Sequence, residues 1–277
     1  KEVYMFNRDR VPEMLKFLPL SHEIRQKEPT RVFDVLIIVD CNTMERVGSD
    51  RLFSKKVAII DHHLSDSGFG DIKWIVPNSS STGELIYKFL LSVDVDIDKN
   101  IATNLYSAII TDTGSFRYPG TTPDTLRTAA ALMERGIDIA QINKELFESL
   151  SFSRMKLLGH VLSGLERRGE ITWFVITKKL LDEVGATVED TEDLVNYARM
   201  IKGVEVSIMF REMDNNSYKI SLRSKEKVNV AEIAESFGGG GHYNASGCVV
   251  KGTLDEVREK VLGAVEYAIK GSHHMLR

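Results

Sequence analysis

The first half of the chain alternates short apolar runs with stretches of helical spacing. Apolar runs at 2–7, 35–40, 57–61 and 74–76 read as strands, bounded by polar and glycine-containing segments. Apolar residues recur every three or four positions over 82–91, 99–112 and 124–135, which predicts helices. Continuously apolar strands separated by helices predict a parallel, doubly wound sheet, and such sheets gather ligands at the carboxyl ends of their strands. Two of the runs end in an acid there. Leu36-Ile37-Ile38-Val39 meets Asp40, and Val57-Ala58-Ile59-Ile60 meets Asp61.

After Gly136 the pattern changes. A long helical stretch over about 139–167 is expected to connect two domains. Beyond it, 171–177, 204–212 and 217–224 alternate more strictly and read as strands. Helices are expected over 193–202 and 255–270, the latter with Thr253 or Asp255 near its N-cap. The predicted architecture is α/β: a doubly wound, mainly parallel sheet over 1–138, a helical linker over 139–167, and a smaller mixed-sheet α/β domain over 168–270. Residues 271–277, Gly-Ser-His-His-Met-Leu-Arg, look like a tag remnant followed by a start Met and are set apart from the fold.

Composition narrows the class. A chain of 277 residues with 43% hydrophobic and 27% charged residues suits two soluble domains. A net charge of -4 excludes a general polyanion binder, so any nucleic-acid contact is local and short. No run of 18 apolar residues and no signal peptide is seen, and a cytoplasmic protein is expected. Two cysteines, Cys41 and Cys248, predict reduced thiols rather than a disulfide framework.

The candidate chemistry starts at Asp61-His62-His63, where a buried strand emerges. An acid and two imidazoles there offer metal ligands and the groups that orient them. Successive residues leaving a strand point in different directions, so one His can bind metal while the other faces substrate. Asp40 ends the neighbouring strand. Asp112 ends the helical run 105–111 and precedes Thr113-Gly114-Ser115-Phe116-Arg117. Singly, each acid is an ordinary turn or cap residue. Three acids and two histidines at one sheet edge make a metal cluster the better reading, suited to Mn²⁺, Mg²⁺, Fe²⁺ or Co²⁺, and the lack of thiolates argues against structural zinc.

A second signal is Ser236-Phe237-Gly238-Gly239-Gly240-Gly241-His242. Four glycines in a row suit neither helix nor strand interior, and their amides can form an anion-binding nest with His242 beside it. Arg223 sits on a strand shortly before this loop, and Arg117 follows Asp112 by five residues. Both are candidates for bidentate phosphate contacts.

In combination, these motifs resemble the DHH phosphoesterase superfamily over nearly the whole chain, from Lys1 to about Lys270. The second half resembles its DHH-associated domain. The best match is the bacterial nano-RNase/pAp phosphatase branch. The resemblance implies a two-metal, usually Mn²⁺-dependent phosphodiesterase acting on very short oligoribonucleotides from an end, and on 3′-phosphoadenosine 5′-phosphate (pAp). It implies that Asp40 bridges two metals, that His62 and Asp112 ligate one of them, and that Asp61 stands behind the ligands. It gives His63 the scissile phosphate or leaving group. It assigns the substrate's other phosphate, or a nucleoside monophosphate, to Arg223, Gly239, Gly240, Gly241 and His242. A cleft between the domains would then select for length.

The chain departs from the family at one place. No segment matches the first motif, His-x-x-x-Asp-x-Asp, which belongs upstream of Lys1 and supplies further ligands. Two readings are open: an N-terminal segment of about one βα unit plus a strand has been displaced or omitted, or the chain is circularly permuted. The competing functions are a cyclic or linear dinucleotide phosphodiesterase, a pyrophosphatase relative, or a nucleotide-binding module with impaired catalysis. The oligomeric state is left open, a homodimer included.

Overall fold

Three of the four apolar runs of the first half are parallel strands in the computed structural model, which describes residues 1–41, 47–49, 53–63 and 68–275, apart from the side chains of 242 and 272–275. They are β1 (Phe33–Val39), β2 (Ser54–Asp61) and β3 (Ile72–Ile75), adjacent in that order. The β1–β2 register pairs Ile38 with Ile59 and Val39 with Ile60, and Asp40 N donates to Ile60 O at 3.0 Å. Asp40 and Asp61 therefore leave the sheet level with each other. Residues 2–7 are a correction. They form only an isolated bridge, Phe6 with Arg25, because a strand needs a continuous partner edge and this run finds one only at Arg25.

Helices α1 (Thr82–Ser92), α2 (Lys99–Asp112), α3 (Pro123–Met133) and α4 (Ile139–Phe147) complete the first unit, Lys1–Ser149. Each starts at a side chain that accepts a backbone N–H: Ser81, Asp98, Thr122 and Asp138. Their apolar stripes meet in a core that includes Leu105, Ile109, Leu132, Ile142 and Leu146. Helices α1 and α2 pack closely, since a Cβ added at Gly83 would lie 2.9 Å from Ala108 Cβ.

The expected single connector over 139–167 is two helices. α5 (Phe152–Ser163) has its own cap, Ser151, which accepts from Arg154 N. Ile142 and Leu146 bury in the first unit's core, whereas Leu157 and Val161 bury in a core of the second unit, Leu150–Arg277.

The second unit is built on a mixed six-stranded sheet. Its strands are β4 (Glu166–Arg168), β5 (Ile171–Ile176), β6 (Val206–Met213), β7 (Ser217–Ser224), β8 (Gly240–His242) and β9 (Ala245–Lys251), ordered β4-β5-β6-β7-β9-β8. Only β5–β6 is parallel. Alternation along β6 sends Ile208 and Phe210 into one core and Met209 into another, so both faces of the sheet are packed. Helices α8 (Val230–Ser236) and α9 (Leu254–Met275) supply Val230, Ile233, Val257 and Val261 to the first core. Helices α5, α6 (Lys178–Val184) and α7 (Leu194–Arg199) supply the second. The helix expected to end near 270 continues to Met275.

The glycine run corrects the expectation of a loop unsuited to strand. Gly240 and Gly241 belong to β8, paired with Gly247 and Ser246 of β9. Contact explains the residue type. A Cβ on Gly239 would lie 2.2 Å from Gly247 O, and one on Gly241, at φ +151°, would lie 2.5 Å from Ala245 O, whereas one on Gly240 would meet nothing within 4 Å. Gly239→Ala therefore costs about 2 kcal/mol or more by overpacking. Gly240→Ala stays within about 0.5 kcal/mol of the parent. Urea unfolding midpoints of the two variants measure the contrast.

Candidate metal centre

Asp61, the last residue of β2, is fully buried and organises the two histidines that follow it. Its Oδ1 accepts from His62 N at 2.8 Å, from His63 N at 3.3 Å and from His63 Nδ1 at 2.6 Å. A carboxylate only accepts, so the proton of this last bond sits on His63 Nδ1. Asp61 Oδ2 is also buried and, among the described residues, meets no hydrogen-bond partner.

His62 turns the other way. Its Nδ1 donates to Ser79 O at 3.1 Å, which aims Nε2 at the acids: 3.0 Å from Asp112 Oδ2 and 3.7 Å from Asp40 Oδ1. Asp40 leaves β1 with φ +60°, a left-handed conformation that is costly for a residue with a Cβ. Thr82 Oγ1, in the first turn of α1, donates to Asp40 Oδ1 at 2.8 Å and holds the carboxylate. Asp112 closes α2. The turn after it runs left-handed through Gly114, Ser115 and Phe116, with φ of 55°, 60° and 61°. Glycine is required at the first position, where a Cβ would lie 2.4 Å from the Tyr118 ring. The other two are held in strain of about 1–3 kcal/mol each, secured by Phe116 N donating to Thr113 Oγ1 at 3.1 Å and Arg117 Nε donating to Gly114 O at 2.6 Å.

The structure thus brings Asp40, Asp61, His62, His63 and Asp112 into one cluster, and places the exposed Arg117 on the turn that leaves it. One ligand atom each of Asp40, His62 and His63 lies within 4.8 Å of the others. Carboxylate with imidazole is the donor chemistry of Mn²⁺, Mg²⁺, Fe²⁺ or Co²⁺ sites, and the residues present fit such a cation. The two cysteines form no disulfide with each other, and burial pushes the Cys248 thiol up to about 11. Sequence reasoning missed Ser79 and Thr82, which orient His62 and Asp40. The Ser81-x-x-Glu84 spacing signals only the start of α1, not the contacts of Ser79 and Thr82.

In the second unit, Arg223 on β7 pairs with Ala245 on β9, and Ala245 pairs with His242 on β8. The half-buried Arg223 and the end of the glycine strand are therefore level with each other, with β9 between them. Arg223 Nη1 donates to Leu222 O at 3.0 Å. The side chain of His242 lies outside the described residues.

The groups around His62 together favour its charged form. Burial works against its charged form, yet the hydrogen bond and charge of Asp112, the Ser79 carbonyl and the charge of Asp40 outweigh it and raise the pKa from 6.5 to about 9. A raised folded-state pKa means stability that is fully present below pH 6.5 and lost as pH rises through about 9. Both acids are partly exposed, so solvent screening reduces the effect to about 2 kcal/mol. In EDTA, unfolding midpoints are expected to fall between pH 6.5 and 9.5, and His62→Gln to flatten that slope. A wild-type profile as flat as the variant's would contradict it. A divalent cation bound at His62 would compete with the same proton and release acid at pH 7.

Comparison with known proteins agrees with this architecture. Residues 2–109 match the DHH family, N-terminal domain, and residues 174–271 match the DHHA1 domain. The chain is 34% identical over 259 residues to the bifunctional oligoribonuclease and PAP phosphatase NrnA of Thermus thermophilus, covering 92% of this chain and 77% of that one. It is 30% identical to the protein of the same name from Bacillus subtilis, covering 85% and 75%. A crystal structure of an exopolyphosphatase-related protein from Bacteroides fragilis superimposes with a TM-score of 0.86 at 29% identity, covering 98% of this chain and 83% of that one. The chain belongs to the DHH phosphoesterase family and is a hydrolase with a DHH domain followed by a DHHA1 domain.

Proposed function

We propose that this hydrolase is a metal-dependent phosphoesterase that degrades very short oligoribonucleotides and removes a phosphate from pAp, with Mn²⁺ as the working cation. The observation that carries the reading is His62, aimed by the Ser79 carbonyl at Asp112 and Asp40. Relatives at 30–34% identity, named as oligoribonuclease and PAP phosphatase, supply the substrate class.

Asp40, His62 and Asp112 would hold the cation. A divalent ion bound there would supply a lowered pKa for a water and neutralise charge on the phosphoryl oxygens. His63, its ring fixed by Asp61, is set to contact the scissile phosphate or the leaving oxygen. Arg223, Gly239, Gly240, Gly241 and His242 take the substrate's other phosphate, and Arg117 adds a contact near Asp112. A net charge of -4 fits substrates of one or two nucleotides, because a long polyanion needs a basic track that the composition does not supply.

The test sets pAp, a diribonucleotide, and linear and cyclic dinucleotides side by side, with Mn²⁺ or with EDTA. Release of AMP from pAp and of mononucleotides from the diribonucleotide, both requiring Mn²⁺, is expected. Turnover indifferent to EDTA sinks the metal assignment, and turnover of the cyclic dinucleotide alone sinks the substrate assignment.

A further inference from the structure

Glu84 is 2% exposed in the first turn of α1 and reaches neither Asp40 nor His62. An ordinary capping box would return its carboxylate to the N-cap amide. Ser81 does accept from Glu84 N at 3.1 Å. The carboxylate, however, goes to the residue before the cap. Glu84 Oε2 accepts from Ser80 Oγ at 2.5 Å and from Ser80 N at 3.3 Å. It also accepts from Thr125 Oγ1 of α3 at 3.0 Å, and Oε1 accepts from Lys88 Nζ at 2.6 Å. Thr125 is itself fully buried and locked in the capping box of α3 with Thr122.

The segment held in this way is the one that orients the metal centre. Ser79 O receives His62 Nδ1, and Thr82 Oγ1 holds Asp40 Oδ1. Ser79 Oγ donates to Ser81 O at 3.1 Å, tying the segment to itself. Two candidate ligands from two different strands are thus fixed by four consecutive residues, 79–82. Glu84 clamps those residues to α3 with three accepted hydrogen bonds, two from Ser80 and one from Thr125, and accepts a fourth from the Lys88 cation of its own helix. Burial disfavours the ionised carboxyl, but Lys88, Ser80 and Thr125 outweigh it and hold Glu84 below the usual carboxylate range. A buried charge that caps a helix less directly than its spacing allows, and reaches across to a second helix instead, serves the segment rather than the helix.

We infer that Glu84 is a positioning residue of the metal centre: through Ser80 and Thr125 it fixes the 79–82 segment, and through that segment the directions of His62 and Asp40. The inference rests on the metal-centre reading above. Residues that orient metal ligands are worth about 10–100-fold in metal affinity or activity.

The test titrates Mn²⁺ by calorimetry into the full chain as wild type, Glu84→Gln and Glu205→Gln, with melting temperatures and with kcat and KM on pAp measured alongside. Glu205 is the control. It is 5% exposed in the second unit and accepts from the backbone N–H groups of Glu226, Lys227 and Val228. Glu84→Gln is expected to weaken Mn²⁺ binding by about 10–100-fold and to lower kcat, with KM for pAp little changed. Glu205→Gln is expected to lower the melting temperature with Mn²⁺ affinity intact. Folded Glu84→Gln with wild-type Mn²⁺ affinity overturns the inference, as does an equal loss of affinity in Glu205→Gln. If Glu84→Gln does not fold, Ser80→Ala, which removes one hydrogen bond of the clamp, is titrated instead, and unchanged Mn²⁺ affinity there is equally decisive against it. A wild type that takes up no Mn²⁺ refutes the metal centre itself. A wild type that binds Mn²⁺ but hydrolyses neither pAp nor a diribonucleotide refutes the proposed substrates and leaves the binding result for Glu84 standing.

Discussion

Replacing His62 by alanine lowers kcat/KM for pAp by about 1,000-fold or more, with the response to added Mn²⁺ lost in parallel. The size follows from what the side chain joins. His62 meets both Asp112 and Asp40, at 3.0 Å and 3.7 Å, so its loss takes an imidazole from between two carboxylates. A cation held by the remaining acids alone is bound in a more exposed site, since Asp40 and Asp112 are 57% and 40% exposed at the side chain against 16% for His62. Stabilising transition-state charge by a bound cation is worth several kcal/mol, and each 1.36 kcal/mol is tenfold in rate. His62→Gln separates charge from geometry, since an amide replaces the ring without its Nε2 donor pair. The melting temperature should hold within a few degrees when Mn²⁺ is absent at pH 9.5, where the favourable charge of His62 is already lost. Retention of more than a tenth of wild-type kcat/KM by the alanine variant would remove His62 from the centre.

The cluster was legible because it sits where strands end. Apolar runs of four residues each lead directly into Asp40 and Asp61, and parallel register then makes the two acids level. Asp112 was legible for a related reason: a helical run that ends in an acid and a Thr-Gly pair announces its own termination, and α2 spans Lys99–Asp112 as expected. The orienting groups were not legible. Ser79 acts through its backbone carbonyl, which every residue owns, and Thr82 acts through a hydroxyl whose spacing from Asp40 in sequence carries no information. The helices over 82–91 and 124–135 were visible in their periodicity, but the Glu84–Thr125 hydrogen bond between them depends on packing that periodicity does not specify. The strand expected at 2–7 failed for the converse reason. Its side chains are strand-like, yet pairing is a property of two segments and its own sequence shows only one. In the second unit the short pieces escaped: β4 is three charged residues, and β8 is glycine up to His242, so neither carries an apolar signal. Four glycines suggested a loop where the chain forms a strand, since the close approach of β9, rather than freedom of the backbone, demands them at 239 and 241.

Asp61→Ala is expected to lower both stability, by about 3 kcal/mol, and kcat, by about 100-fold. Asp61 is fully buried, so no water replaces it as acceptor without rearrangement, and its Oδ1 alone receives three donors. Leaving a buried donor unsatisfied costs about 1–3 kcal/mol. Two of the three are half-buried backbone amides at the strand end, and the third is the bond that sets the His63 ring. One opposing effect limits the loss: among the described residues Oδ2 meets no partner, and alanine removes that buried oxygen. Asp61→Asn divides the two roles. Its carbonyl keeps the acceptor for all three donors, while its amide stands where Oδ2 found no partner, so it should retain most of the stability. It should still lose activity, because a neutral amide oxygen holds the His63 Nδ1–H less firmly than a carboxylate does. The expected order is wild type, then Asn, then Ala, in both urea midpoint and kcat, with the Asn–Ala gap larger in stability and the wild type–Asn gap larger in kcat. An alanine variant that unfolds at the wild-type urea midpoint would show that Asp61 does not organise this strand end, and the orientation of His63 would then need another source.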